Sequence, residues 1–308
     1  MIVVLTGGTG GAKLIEGIAA EIDPADLTII CNTADDCIFY DLYVSPDIDT
    51  INYTLAGMID PAKGWGIKDD TFAAMEQLRR LGDDAWFQLG DKDLATHITR
   101  TRLLKEGYKL SEVVGKMSRR LGVQATILPM SDERIETRIV TSQGEISFQE
   151  YFVKYHWALD VKTVRFVGAE QSNPGPGVID AIERADAIII CPSNPVTSIG
   201  PILAVPGIRS ALTEARAPVV AVSPIIGMAA ISGPAHKLMI ACDKEASALG
   251  VAECYHDFLD KLMVADEDRG LVSQIEKLHI EVSLTDIRMT SLGDKRRLAL
   301  EVLDLAKK

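Results

Sequence analysis

Residues 1–13 read MIVVLTGGTGGAK. Ile2 to Leu5 is a short apolar, β-branched run of the kind that forms a buried strand, and Leu14, Ile15 and Ile18 begin a helical spacing. Between them lie Gly7, Gly8, Thr9, Gly10 and Gly11. Strand, glycine turn and helix start together make an anion site, because glycines let backbone N–H groups approach a phosphate and a helix N-terminus adds partial positive charge. Lys13 is expected in the first helical turn, within reach of the same anion. The stretch is not a P-loop, since Ala12 and Leu14 flank Lys13 where GK[ST] is required. Nor is it the dinucleotide fingerprint, which needs glycine at position 13. A glycine turn that merely packs helix on strand is the plainer alternative.

A chain of 308 residues can bury a sizeable core. Its 44 acidic against 32 basic residues leave a net charge of −12, which argues against a nonspecific grip on nucleic acid or an anionic membrane. An anionic ligand therefore needs a local nest or a metal. Cys31, Cys37, Cys191, Cys242 and Cys254 are odd in number and lack C-x-x-C spacing, a pattern of buried thiols in a reducing compartment. With no apolar run of about 18 residues, the expectation is a cytoplasmic protein.

The rest of the chain repeats the opening theme. Leu27–Cys31 is a second buried strand, ending in Asn32-Thr33-Ala34-Asp35-Asp36. In Ser45-Pro46-Asp47-Ile48-Asp49-Thr50 the two carboxylates are expected on one face of an extended segment, with Thr50 opening a helix. Asp60-Pro61 and Gly64-Trp65-Gly66 follow as turns. Paired carboxylates beside a phosphate loop suit a hard divalent cation such as Mg²⁺; the alternative is that Asp47 caps a helix and Asp60 starts a turn. Residues 69–122 carry helical spacing, interrupted by Leu89-Gly90-Asp91-Lys92-Asp93-Leu94-Ala95-Thr96-His97, where His97 reads more readily as a surface or core histidine than as a catalyst. Residues 124–149 alternate polar and apolar, as in an antiparallel hairpin.

Thr163–Gly168, Ala187–Cys191 and Val219–Val222 then read as strands of the parallel sheet. The second runs into Pro192-Ser193-Asn194-Pro195-Val196-Thr197-Ser198, and the third into Ser223-Pro224-Ile225-Ile226-Gly227. Ser232-Gly233-Pro234-Ala235-His236-Lys237 offers a further helix start with a cation. The predicted fold is a single α/β domain over residues 1–308. It is Rossmann-like, with a mostly parallel sheet, helices on both faces and an inserted α+β subdomain, helical and hairpin, at about 50–160. Several strands deliver small polar residues to one sheet edge, the arrangement for a nucleotide at a topological switch point.

Seven blocks occur in order along essentially the whole chain: GGTGGAKL, SPDIDT, IDPAKGWG, LGDKDLATH, LPMSDE, PSNPVTSIGPI and SPIIG. In these the sequence resembles the 2-phospho-L-lactate transferases of deazaflavin coenzyme (F-420) biosynthesis. The resemblance implies a reaction joining a guanosine-diphospho-activated small acid to the ribityl hydroxyl of FO (7,8-didemethyl-8-hydroxy-5-deazariboflavin), with release of GMP. The acid would be 2-phospholactate, phosphoenolpyruvate or 3-phosphoglycerate, and one sequence does not separate these. It further implies that Asp49 and Asp60 carry catalysis and hold Mg²⁺, and that Asp49 and Gln88 contact FO, Gln88 standing where some members have lysine. The glycine loop with Lys13, and Ser193, Asn194, Thr197 and Ser198, would hold the guanosine diphosphate, in a homodimer. A nucleotide- or sugar-nucleotide-binding regulator on the same sheet is the alternative; it would need the loops but neither Asp49 nor Asp60.

Overall fold

The computed structural model describes residues 1–227, 229–230 and 233–307; Ser232 of the expected helix start lies outside them. Strand β1 (Ile2–Thr6) leads into helix α1 (Gly8–Ala19), and β2 (Leu27–Cys31) follows. A small hairpin, β3 (Cys37–Phe39) and β4 (Leu42–Val44), precedes α2 (Pro46–Leu55), α3 (Ala73–Arg80), α4 (Asp91–Lys105) and α5 (Leu110–Arg120). Then come β5 (Thr126–Pro129), β6 (Glu136–Thr141), β7 (Gly144–Ser147) and β8 (Val161–Val167). The remaining strands are β9 (Ala187–Ile190), β10 (Val219–Val222), the short pair β11 (Ile225–Ile226) and β12 (Ala229–Ala230), β13 (Lys261–Ala265) and β14 (Glu281–Thr285).

Seven strands form a wholly parallel sheet in the order β14-β13-β10-β9-β1-β2-β5. The expected Rossmann-like architecture is therefore present. Both faces of its central strands are covered, which is why β1, β2, β9 and β10 are largely apolar rather than alternating. Val3, Leu5 and Ile30 face a core with Ile182, Ile202 and Val251, while Val4 and Ile29 face one with Ile15, Ile18, Leu298 and Val302. From β1 the chain moves to β2 on one side, yet β9 lies on the other. The switch point is thus between β1 and β9, with Leu5 opposite Ile190 and Thr6 opposite Cys31.

Two local readings change. The stretch around residue 165 does not join the parallel sheet: β8 pairs antiparallel with β6, giving a separate sheet β7-β6-β8. Its exposed, alternating residues fit a sheet with one covered face better than a core strand. Residues 46–49 are helical, not extended. Pro46 occupies the first position of α2, where its missing N–H costs nothing and its fixed φ is already helical. At helical spacing Asp47 and Asp49 cannot share a face. No described helix is long and apolar enough to cross a membrane.

Candidate active site at the switch point

The carboxyl ends of β1, β2 and β9 open into a cleft of about 370 Å³. Its floor is the glycine loop. Helix α1 already begins at Gly8, so the glycines form the helix N-terminus itself, and Lys13 sits one turn later, exposed and lining the cleft. Glycine is required here by close approach. A Cβ on Gly7 would stand 2.7 Å from Asp47 Oδ2, and one on Gly10 would stand 2.5 Å from the Pro192 carbonyl oxygen. Gly7, Gly8, Thr9 and Gly10 line the cleft, whereas Gly11 packs against Thr6.

The loop after β9 interlocks with this floor. Asn194 Oδ1 accepts from the Val196 and Thr197 amides at 2.9 and 3.4 Å, leaving its side-chain amide for a ligand. Ser193 Oγ accepts from the Gly7 amide at 3.4 Å, and Ser193, Asn194, Thr197 and Ser198 all line the cleft. Beyond them the wall is uncharged, with Pro224, Ile287 and Met289.

The opposite wall, beneath β2, is acidic. Asn32 donates its amide to Asp35 Oδ2 at 3.1 Å and to Asp47 Oδ2 at 2.9 Å, while Asp47 Oδ1 accepts the Gly8 amide at 2.8 Å. Asp47 is therefore no helix cap; it braces the glycine loop. Burial, with the neighbouring Asp47 charge, pushes Asp35 well above the usual carboxylate range. Burial likewise pushes Asp47 up to about 6, although the bonds from Asn32 and Gly8 oppose it. Asp35 Oδ1 is buried without a partner.

Asp49 points the other way, toward α4. Arg100 Nη2 and Nη1 grip its two oxygens, the latter at 3.0 Å. Burial would weaken the guanidinium's hold on its proton, but the Asp49 charge overrides this and raises it. His97 lies alongside, Nδ1 at 3.3 Å from Arg100 Nη1 and 3.7 Å from Asp49 Oδ2, Nε2 obliquely 3.2 Å from Asp93 Oδ2. Asp93 is itself buried, which pushes it up, yet His97, Tyr53 and Arg100 hold it below the usual range. Asp49, Asp93 and His97 are close enough to suggest a cation site. The guanidinium argues against one, since it already occupies Asp49 and repels a second cation.

Reciprocal caps set the position of α4. Asp91 accepts the Ala73 and Ala74 amides at the start of α3, and Asp70 accepts the Lys92 and Asp93 amides at the start of α4. Gln88 lines the cleft near Trp65, Phe87, Phe148 and Phe152. Asp60 is placed elsewhere. It turns the chain into the Trp65 loop, accepting from the Ala62 and Lys63 amides at 2.9 and 3.3 Å, and it is absent from the residues lining the cleft. The structure thus does not gather Asp49 and Asp60 into one ligand set. Arg100, Asp93, Tyr53 and Asn32 were not assigned from sequence. The visible signal was the spacing of Asp93, His97 and Arg100, which repeats at one helical turn.

A model of the 2-phospho-L-lactate transferase CofD family matches residues 2–295. The chain belongs to this family. A phosphoenolpyruvate transferase of Streptomyces griseus is 45% identical, covering 99% of this chain and 98% of that protein. A 2-phospho-L-lactate transferase of Methanothermobacter thermautotrophicus is also 45% identical, over 97% and 96%. The Methanosarcina mazei 2-phospho-L-lactate transferase is 41% identical, over 97% and 98%. Among solved structures, a UPF0052 family protein from Bacillus halodurans superposes with a TM-score of 0.64 over 98% of each chain at 17% identity, a likeness of fold alone. The cleft brings the glycine loop and the loop after β9 together with carboxylates and aromatic side chains.

Proposed function

We propose that the protein transfers the phospho-acid moiety of a guanosine-diphospho-activated small acid to the ribityl hydroxyl of FO, forming a coenzyme F-420 precursor and releasing GMP. The observation that carries this reading is the two-sided cleft. The glycine turn, Lys13 and the Asn194 side-chain amide line one end with Asp47 bonded to the turn, and Asp49 with the aromatic side chains of Trp65, Phe87, Phe148 and Phe152 lines the rest. Phosphoryl transfer needs this kind of positioning and charge control, and little covalent help from the protein.

In this reading the donor's phosphates lie over the start of α1, and its base extends along the uncharged wall toward Ile287 and Met289. The acceptor enters past Trp65, Phe87 and Gln88. Asp49, fixed by Arg100, accepts a hydrogen bond from the attacking hydroxyl and orients it. The residues that fit a divalent cation are Asp35 and Asp47, a buried pair of carboxylates that both line the cleft, one Asp35 oxygen being without a hydrogen-bond partner. Bound Mg²⁺ would neutralise charge on the diphosphate. Asp60 serves this site by shaping the Trp65 loop. A homodimer and a cytoplasmic setting complete the reading.

The test is incubation with FO, Mg²⁺ and each guanylylated acid in turn, followed by mass spectrometry. Formation of the phosphodiester with GMP supports the proposal and identifies the acid. No product with any of the three would refute it.

A further inference from the structure

Two helices face each other beneath the acceptor end of the cleft. Helix α2 presents Asp49 and, one turn later, Tyr53; α4 presents Asp93, His97 and Arg100 at one-turn spacing. Their side chains form a ladder. Tyr53 Oη reaches Asp93 Oδ1 at 2.5 Å and Thr96 Oγ1 at 2.7 Å; His97 stands between Asp93 and Arg100; Arg100 closes on Asp49. Apart from Thr96 the residues of the ladder are buried, His97 and Arg100 at 1% exposure. A catalytic step that uses Asp49 therefore depends on the groups that hold it: Arg100, which is not among the residues lining the cleft, and Tyr53, Asp93 and His97, which edge it beside Asp49.

The direction of the ladder follows from its chemistry. Arginine only donates, so in its 3.3 Å contact with Arg100 Nη1 the His97 Nδ1 is the acceptor, sharing that nitrogen's two hydrogens with Asp49 Oδ2 and the Tyr43 carbonyl. A neutral imidazole then carries its proton on Nε2, facing Asp93. A proton on Nδ1 would set donor against donor, and Asp49 Oδ2 at 3.7 Å is too far to accept it instead.

We propose that His97, set against the Asp93 carboxylate that Tyr53 anchors, is a positioning residue that fixes the Arg100 guanidinium, and through it Asp49, at the acceptor hydroxyl. This rests on the transferase reading given above. His97 is the only rung that touches both Arg100 and Asp93 among the described contacts. Replacing it by leucine leaves Asp93 facing an apolar group and removes one of the three acceptors around Nη1, so that the guanidinium is placed only by Asp49 and by the Tyr43 carbonyl it already meets at 3.3 Å. Asparagine keeps an acceptor near Nδ1; glutamine keeps a donor near Nε2 but no acceptor near Nδ1.

The experiment compares wild type with His97→Leu, His97→Asn and His97→Gln for FO turnover, GDP binding and thermal unfolding. A misplaced reacting group typically costs up to about 100-fold. The expected result is a 10- to 100-fold loss of kcat in the leucine variant and substantial recovery with asparagine but not glutamine, with GDP affinity changed less than about threefold throughout. Equal kcat in folded leucine and wild-type proteins would overturn the proposal, as would asparagine no better than leucine. A second readout does not need turnover. Nitrogen-15 NMR of the histidine rings, assigned by the His97→Asn spectrum, should show a single neutral ring with its proton on Nε2. A Nδ1–H or doubly protonated ring would overturn the ladder's direction even if the protein proved not to be a transferase. Wild type that makes no product but shows the expected ring would instead refute only the transferase reading.

Discussion

Asp47 offers the most quantitative test of how the cleft is built. The perturbation is Asp47→Asn, which nearly preserves shape. In the folded protein burial pushes this carboxyl from 3.8 up to about 6, so between those values the folded state holds a proton that the unfolded chain has lost. Stability from that proton is fully present below the unfolded value and is lost as pH rises through about 6. The rise corresponds to about 3 kcal/mol, a cost that belongs to the Asp35–Asp47 pair because each carboxylate's charge opposes the other's. Asparagine never pays this, but its amide meets the donating amide of Asn32, now 2.9 Å from Asp47 Oδ2, and forfeits about 1 kcal/mol. The variant should therefore be about 1 kcal/mol less stable than wild type near pH 4 and about 2 kcal/mol more stable near pH 7.5. Equilibrium urea unfolding of both proteins without divalent cations, at the two pH values, reads the difference directly. A stability difference that does not change sign or grow with pH would refute the claim that Asp47 is a buried, strained carboxylate. Millimolar Mg²⁺ at the higher pH should then stabilise wild type and leave the variant nearly unmoved.

Arg100→Met should destabilise the fold by about 3–5 kcal/mol, because it strands the buried Asp49 carboxylate; denaturant melts check this, and a loss under 1 kcal/mol would mean Asp49 finds another partner. Lys13→Ala and Asn194→Ala should each weaken GDP binding by about 1.5–3 kcal/mol if those groups meet phosphate, measured by calorimetry. Gly10→Ala places a methyl 2.5 Å from the Pro192 carbonyl and should loosen both loops, with GDP affinity falling alongside thermal stability. Asp60→Asn keeps a turn-forming oxygen and should retain most FO turnover, whereas Asp49→Asn should lose at least about 100-fold; comparable losses in both would return Asp60 to the chemistry.

The fold was legible where the chain uses local codes. The run Ile2–Leu5 with its glycines, the buried strands at Leu27, Ala187 and Val219, and the turns at Asp60 and Gly64 all declare themselves through periodicity or residue type. β13 and β14 were not singled out. Lys261 opens the former with its ammonium on the Leu305 carbonyl, and the latter is only half buried, so neither reads as a clean apolar run. Thr163–Gly168 reads as a strand, observed as Val161–Val167, but which sheet it joins depends on pairing with β6, a contact between distant residues.

The site was legible as a list and not as an arrangement, and α2 shows why. In an extended segment Asp47 and Asp49 share a face; on a helix a two-residue step turns the side chain through roughly 200°. Pro46 decides between these outcomes, and with it the division of labour. Asp47 turns to Asn32 and Gly8 and becomes part of the phosphate end, while Asp49 turns to Arg100 and becomes part of the acceptor end. The two carboxylates then meet opposite electrostatic fates. Asp47 has only neutral donors and stays costly to ionise until a cation or a proton arrives; Asp49 has a permanent counter-charge on both oxygens. A sequence motif with two aspartates two residues apart thus supplies a group that waits for its counter-ion and one that carries it already. In the proposed reaction this division would separate charge neutralisation of a donor from orientation of an acceptor without a second domain.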